Sequence, residues 1–311
     1  MSTATSFYPS SKGGAVVHWT YTRQLPATYS ATPLRQQLIN WRLPSHLIHD
    51  LRIHQRVLVN GAYHSMNQLV YSGDTVQLTF LPTDFKEPFP KVDPDSAATV
   101  AVLYESADLL VINKTRGSKT HPNQPGERGT TLNHVAAYLG PDQPGPYILS
   151  RLDQETTGAL LMTKTPAVIP IMVRHIADKQ VQRTYLAWVH GRLTGDGVFT
   201  DPIGRDPLDK RKRQVNGDHA QPAVTHYHVC EYREQATLIQ LRLDTGRTHQ
   251  LRVHLAAAGH PLIGDPLYGT ATDTNRLRLH CWQLTFPQPF TVNDAHTTVT
   301  APVPADFDQF N

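Results

Sequence analysis

The sequence predicts an α+β protein in which a small N-terminal domain precedes a larger, strand-rich domain. Short stretches of apolar residues at helical spacing occur among many stretches in which apolar and polar residues alternate. A proline-rich segment divides the 311 residues into two unequal parts. We therefore expect one domain over residues 1–80, a linker over residues 81–98 and a second domain over residues 99–311.

The N-terminal part carries signals for both helices and strands. A strand is expected over residues 14–21, and residues 34–41 and 47–51 place apolar side chains at helical spacing. Residues 56–61 read as a strand that ends in Asn-Gly, the dipeptide typical of a tight hairpin, and residues 75–80 form a further alternating run. These elements predict a small sheet covered by two short helices.

The segment 81–98 contains four prolines and several charges, which favours an extended, semi-rigid linker. Beyond it, alternation typical of strands dominates. We expect strands near residues 100–104, 109–114, 181–191 and 238–243, and helices near residues 132–139, 166–180 and 251–258.

The last of these helices has a recognisable inward face. Leu251, His254, Leu255 and Ala258 share one side of it, and Gly259 is a typical residue just beyond a helix end. Arg252 lies off this face, so we expect its side chain to point into a cleft.

The composition limits the classes of protein. No apolar run approaches the roughly 18 residues of a membrane helix, and the N-terminus lacks the pattern of a secretory signal. Cys230 and Cys281 show no metal-ligand spacing and are expected to be reduced thiols. A cytoplasmic protein without a membrane partner is the expectation. The net charge of +3 is small, but basic residues cluster between Arg205 and Arg213.

A metal-dependent hydrolase is the weakest of the functions considered. The chain has 17 histidines, yet none is spaced as in a zinc-peptidase helix. We therefore interpret the histidines as surface and core residues and predict no metal site.

The most informative pattern lies between Tyr147 and Lys164, where the chain reads YILSRLDQETTGALLMTK. An apolar run leads Arg151 and Asp153 into a polar loop, and Gly158 begins a second apolar run. A strand–loop–strand unit of this kind presents one basic and one acidic side chain on a rigid scaffold, as catalytic groups often are. An isolated Arg-x-Asp pair is more often a solvated or structural ion pair, so its meaning depends on the other motifs.

Those motifs resemble the signatures of the RluA-type pseudouridine synthases. S-R-L-D-Q-E-T-T-G is similar to H-R-L-D-x-x-T-S-G, with Ser150 for the usual His and Thr157 for the usual Ser. R-T-Y-L-A-W-V-H-G matches K/R-x-Y-x-A-x-V-x-G. Residues 245–269, TGRTHQLRVHLAAAGHPLIGDPLYG, match T-G-R-x-H-Q-[IL]-R-V-H followed by G-H-P-[IL]-x-G-D-x-x-Y-G. The resemblance covers roughly residues 99–303.

This resemblance implies a mixed, largely antiparallel bent sheet with flanking helices and a cleft between two sub-sheets. It also implies an isomerase that breaks the glycosidic bond of a uridine, rotates the uracil and rejoins it through a ring carbon, with no cofactor or metal. Asp153 would attack the anomeric carbon or remove a sugar proton, and both alternatives stay open. Arg252 would favour the ionised aspartate, and Tyr185 would stack on the uracil and exchange a proton.

Further residues take expected RNA-binding roles. By the same resemblance, Arg151 would fill the space left by the flipped nucleotide, and Leu279 would pack against the base, although an ordinary core leucine is an equal alternative. A basic hairpin would bind phosphates, against the alternative of a merely solvated charged face. The basic residues assigned to RNA are Lys210, Arg211, Lys212, Arg213 and Arg247.

The N-terminal part is similar to the alpha-L RNA-binding domain. Two helices followed by V-L-V-N-G and V-Y-S-G-D-T-V carry this likeness. Ser45 is followed by His46 where the family usually has Arg, so an α+β module without RNA affinity is the alternative.

The leading prediction is a monomeric uridine-to-pseudouridine isomerase that acts on structured RNA. Large-subunit ribosomal RNA is the first expected substrate and transfer RNA the second. The alternative is a catalytically weak or inactive RNA-binding protein that keeps the synthase fold, which Ser150 and the altered N-terminal helix suggest.

Overall fold

The computed structural model describes residues 4–9, 15–85, 92–141, 143–270, 276–291 and 296–309. Gly14 of the expected first strand and residues 86–91 of the expected linker lie outside these ranges. Within the ranges, no helix is both long and apolar enough to cross a bilayer.

The N-terminal part forms a five-stranded antiparallel sheet in the order β1-β2-β7-β4-β5. Its strands are β1 (Ala4–Pro9), β2 (Ala15–Gln24), β4 (Val57–Val59), β5 (Ala62–Tyr63) and β7 (Thr75–Phe80). The predicted Asn-Gly hairpin joins β4 and β5, and Asn60 and Gly61 both have positive φ, as a type I′ turn requires.

Two short helices cover this sheet. Helix α1 (Leu34–Asn40) buries Leu34 and Leu38, and helix α2 (Ser45–Ile53) buries its apolar residues at i, i+1 and i+4. A ribbon of β3 (Thr32–Pro33) and β6 (Leu69–Val70) adjoins α1. The helical spacing in the sequence therefore predicted both helices.

The rest of the chain is organised around a ten-stranded sheet. Its order is β13-β17-β18-β12-β19-β11-β9-β8, with β10 beside β11 and β20 beside β19. The strands are β8 (Val102–Glu105), β9 (Leu109–Lys114), β10 (Tyr147–Ile148), β11 (Thr157–Thr163), β12 (Gln182–His190), β13 (Gly197–Phe199), β17 (Thr225–Arg233), β18 (Ala236–Leu243), β19 (Leu279–Pro287) and β20 (His296–Thr300). A small sheet contains β14 (Ile203–Arg205), β15 (Arg213–Val215) and β16 (Asp218–Gln221).

A seam divides the large sheet into two halves. Strands β11 and β19 pair in parallel through Thr157 with His280 and Gly158 with Cys281, whereas the other described pairs of this sheet are antiparallel. A Cβ on Gly158 would lie 2.2 Å from the Cys281 carbonyl oxygen, so only glycine permits this approach. The predicted α+β class with a mixed, largely antiparallel sheet is confirmed.

Three helices flank the sheet: α3 (Thr131–Leu139), α4 (Ile169–Ala177) and α5 (Gln250–Ala257). A 3-10 turn, Pro166–Val168, precedes α4, so the expected helix over residues 166–180 is shorter than predicted. Helix α5 departs further from expectation. It is buried on all sides over residues 250–255, and Ala258 is exposed instead of packing inward.

The two sheets share a packed contact. Phe290 lies against the rings of Tyr21 and Trp41, with centroids 4.5 and 6.0 Å away. The Tyr21 hydroxyl donates to Asp108 Oδ1 at 2.9 Å, and Arg174 of α4 donates to the Leu43 carbonyl oxygen at 2.9 Å. Apolar side chains therefore continue from one sheet to the other as one core.

Candidate active site

An open cleft lies between the loop that precedes β11, the start of β12 and the loop that follows β18. Its volume is about 730 Å³, and its walls include Arg151, Asp153, Arg183, Arg247 and His249. A smaller recess of about 90 Å³ adjoins it, with walls that include the three predicted catalytic residues and Leu279. The loop before β11, strands β12 and β19, and helix α5 meet here.

A buried lysine holds the loop that carries Asp153. Lys114, at the end of β9, is 1% exposed, and its Nζ donates to the carbonyl oxygens of Thr115, Gln154 and Thr156 at 2.9 to 3.1 Å. Three carbonyl acceptors match the three protons of an ammonium group. Burial lowers the pKa of Lys114 to about 8, which leaves it charged at neutral pH.

Two carboxylates bind one arginine at the end of the recess. Arg252, on α5, donates from Nη1 to Asp153 Oδ2 at 3.1 Å, and from Nε and Nη2 to the two oxygens of Asp265 at 2.8 and 2.7 Å. The Asp153 side chain is 30% exposed, whereas those of Arg252 and Asp265 are 5% and 0% exposed. The helical pattern predicted that the Arg252 side chain points into a cleft. Arg252 does line the recess and contacts Asp153, but its side chain is buried and is held by Asp265.

The opposite charges of Arg252, Asp265 and Asp153 stabilise the ionised form of the arginine, and Arg252 stabilises the ionised form of Asp265. Burial acts to lower the pKa of the Arg252 guanidinium, but the hydrogen bonds and charges of Asp265 and Asp153 outweigh it and raise the pKa. Burial likewise opposes ionisation of Asp265, and the bonds from Arg252 prevail and hold its pKa below the usual value. A permanently charged guanidinium thus faces the Asp153 carboxylate.

Tyr185 lies in the same recess, on β12, and is 4% exposed. A β-bulge between Thr184 and Tyr185 interrupts the pairing with β19, and bulges re-aim side chains. Burial raises the pKa of the Tyr185 hydroxyl, and the positive charge of Arg183 acts in the opposite direction. The phenol therefore stays protonated at neutral pH. Leu279, on β19, is 4% exposed and shares the recess.

The predicted RNA-binding residues occupy different places. Arg151 and Arg247 are exposed at the large cleft. Arg213 and Arg247 also meet Arg205 and His219 around a second hollow of about 380 Å³ beside the small sheet. Lys210 and Lys212 precede β15, and Arg211 forms a 2.7 Å ion pair with Asp209. The structure thus brings Arg151 and Arg247 to the cleft and Arg213 to the hollow beside it, and Lys210, Arg211 and Lys212 line neither of the two.

Some residues of the site were missed in the sequence. Asp265, Arg183, His249 and Tyr268 were not singled out, although they belong to the motifs G-D-P-L-Y-G, R-T-Y and T-G-R-T-H-Q. Motif membership was the available signal for each of them. Among the described residues, no three His, Cys, Asp or Glu side chains gather in a way that would hold a metal ion.

The exposed arginines at the edge of this cleft are groups that can contact the phosphates of a nucleic acid. Comparison with known proteins gives the family. Residues 108–257 match the RNA pseudouridylate synthase family, and residues 21–76 match the N-terminal domain of the RluD ribosomal pseudouridine synthases.

Individual relatives agree with these matches. The chain is 36% identical over 266 residues to the uncharacterized RNA pseudouridine synthase YhcT of Bacillus subtilis (strain 168), covering 84% of this chain and 85% of that protein. It is 35% identical over 255 residues to the ribosomal large subunit pseudouridine synthase D of Escherichia coli (strain K12), covering 79% and 76%. The chain therefore belongs to the RNA pseudouridine synthase family, and the predicted family and isomerase class are confirmed.

Solved structures show the same fold. The human RNA pseudouridylate synthase domain containing 1 superposes with a TM-score of 0.57 at 27% identity, covering 68% of this chain and 87% of that one. The human RNA pseudouridylate synthase domain containing 4 superposes with a TM-score of 0.55 at 24% identity, covering 67% and 90%, and supports the fold alone. The predicted pseudouridine synthase fold is confirmed.

Proposed function

We propose that this enzyme converts uridines of large-subunit ribosomal RNA to pseudouridine, with Asp153 as the group that acts on the ribose. The observation that carries the proposal is the 3.1 Å bond from buried Arg252 to the half-buried Asp153 carboxylate at the edge of a recess in the cleft. The relative from Escherichia coli, a ribosomal large subunit pseudouridine synthase, supports the choice of substrate. Transfer RNA is a second substrate class to test.

The chemistry needs one ionised carboxylate near the sugar. Asp153 either forms a bond to the anomeric carbon as the uracil leaves, or removes a ribose proton to give a glycal. Arg252 stabilises the carboxylate in both routes. Tyr185, protonated and buried, offers its ring to the detached uracil, and its hydroxyl exchanges a proton at the new carbon–carbon bond, where the ring carbon loses its hydrogen and the released ring nitrogen gains one.

The remaining predicted residues have supporting roles in this proposal. Arg151, exposed at the cleft, occupies the place of the flipped nucleotide, and Leu279 packs against the base. Residues 1–80 form an RNA-binding domain, residues 81–98 a linker and residues 99–311 the catalytic domain, acting together as a cytoplasmic monomer. Basic residues in and beside the small sheet bind phosphates.

The test is pseudouridine mapping of total RNA by chemical labelling and primer extension. A strain that lacks the enzyme is rescued with the wild type or with Asp153→Asn, which keeps the side-chain shape and removes the charge. We expect a stop in ribosomal RNA with the wild type and none with the variant, while purified Asp153→Asn still binds the RNA. Identical maps would contradict the proposal and favour an RNA-binding protein without activity.

A further inference from the structure

His249 lies between Asp153 and the small sheet. Its Nε2 is 3.9 Å from Asp153 Oδ2, and its Nδ1 is 2.8 Å from the Tyr268 hydroxyl oxygen. The same hydroxyl accepts the backbone N–H of Arg213, the first residue of β15, at 2.8 Å. A row of hydrogen-bonded polar groups therefore leads from the basic hairpin to His249, which faces the catalytic carboxylate.

The hydrogen bonds of this row favour one tautomer of the imidazole. The Arg213 N–H can only donate, so the Tyr268 oxygen accepts there and its own proton is available for His249 Nδ1. With Nδ1 as an acceptor, the neutral ring carries its proton on Nε2, the atom that faces Asp153. Burial lowers the pKa of His249, which favours this neutral form.

The surroundings hold the ring in place. The side chain of His249 is 16% exposed, and its ring meets the Tyr268 ring edge-on at 5.7 Å. The guanidinium carbon of Arg252 lies over the same Tyr268 ring, 5.1 Å from its centre. The same tyrosine thus contacts both side chains that face Asp153.

We propose that His249 is a positioning residue for Asp153, a second N–H donor whose tautomer is favoured by Tyr268 and the backbone of Arg213. The proposal rests on the assignment of Asp153 in the proposed function. A separation of 3.9 Å exceeds a direct hydrogen bond, and catalytic contacts of this kind tighten when substrate closes the site. RNA bound to the hairpin would thereby help to orient the carboxylate.

A purely local role for His249 is the competing explanation. The residue precedes α5 with φ 58° and ψ 20°, a left-handed conformation that asparagine adopts more readily than most residues. Asparagine also places its amide near the Nδ1 position and can keep the Tyr268 contact. Glutamine, in contrast, reaches the Nε2 position and can donate to Asp153.

These two substitutions separate the roles. We would compare wild type, Asp153→Asn, His249→Gln, His249→Asn and His249→Ala in single- and multiple-turnover assays on a ribosomal RNA fragment, with Tm measured for each. We expect His249→Gln to keep kcat within about threefold, and His249→Asn and His249→Ala to lose about tenfold or more with KM unchanged. A hydrogen bond to a charged group justifies this size of effect.

Tyr268→Phe provides a second arm that leaves His249 in place. This substitution removes the hydroxyl but keeps the ring beside Arg252. We therefore expect the kcat of Tyr268→Phe to fall as far as that of His249→Asn, with little change in Tm. Equal or higher kcat for His249→Asn than for His249→Gln, or a change in KM alone, would overturn the role of His249. An inactive wild type, or an active Asp153→Asn, would instead overturn the proposed function.

Discussion

At the scale of single residues, the feature that matters is the support behind Arg252. The guanidinium uses two N–H groups on Asp265, a carboxylate with no exposed surface, and directs a third to Asp153. A bidentate pair fixes the plane of the guanidinium as well as its position. The Arg252 donor to Asp153 is thus oriented before RNA arrives.

The motifs predicted Asp153, Tyr185 and Arg252 as one group, and the structure places all three around one recess. Asp265 was missed because a charged residue in a turn gives no sign of burial in the sequence. Its partner, 13 residues earlier, becomes evident only when the turn after α5 folds back on the helix.

Replacing Arg252 separates catalysis from stability. Arg252→Met leaves Asp265 as a buried carboxylate without its cation, so we expect the free energy of unfolding to fall by about 3–5 kcal/mol. In Arg252→Met/Asp265→Asn, the unpaired charge is gone and part of the stability returns, but pseudouridine formation stays lost. Urea denaturation and single-turnover assays measure the two effects. Recovery of activity together with stability would show that Arg252 acts only as a structural residue.

At the scale of elements, the basic run before β15 is not one uniform surface. Arg211 is tied to Asp209, and the Arg213 guanidinium donates to the carbonyl oxygens of Lys210 and Lys212. Lys210 is exposed and Lys212 is partly exposed. Composition predicted the cluster, but it gave no indication that local hydrogen bonds engage the two arginines.

The two lysines are therefore the better test of phosphate binding. We expect Lys210→Gln/Lys212→Gln to weaken RNA binding and to reduce the slope of log affinity against log salt by about 1.5, since each phosphate contact contributes about 0.7–0.9. Binding titrations at several salt concentrations give the slope. Arg192→Gln/Arg233→Gln is a control of equal charge, because these arginines stack on Tyr232 and Trp188 away from the cleft walls. Equal slopes for the two double variants would show that Lys210 and Lys212 are solvated charges that do not contact RNA phosphates.

At the scale of the whole molecule, the two sheets are joined more closely than a proline-rich segment suggests. Tyr21 and Asp108 are 87 residues apart in the chain, and their hydrogen bond is buried. Arg174 of helix α4 donates to the carbonyl oxygen of Leu43, in the connection between α1 and α2, and Lys179, just beyond α4, lines the cleft. The order of the elements was predictable from local patterns. Their mutual packing was not, because contacts of this separation leave no periodic signal.

Phe290 tests whether this contact makes the chain unfold as one unit. Its ring is 3% exposed and lies among Tyr21, Trp41 and Phe80 of the N-terminal part. Phe290→Ala removes the aromatic ring that the segment after β19 places against the N-terminal part, so we expect a loss of about 3–5 kcal/mol and the separation of one calorimetric transition into two. The N-terminal sheet would melt first, because its own core is the smaller one.

Phe307→Ala is the matched control. Phe307 is equally buried, at 1% exposure, but it packs with Trp188, Ala236 and Ile263 in a separate cluster of the large sheet. We expect a similar loss of stability with a single transition. A single transition in Phe290→Ala as well would mean that the remaining contacts, through Tyr21 and Arg174, suffice to couple the two sheets. Two transitions in both variants would locate the weakness within the large sheet itself, and the contact at Phe290 would then have no special part in the cooperativity of the molecule.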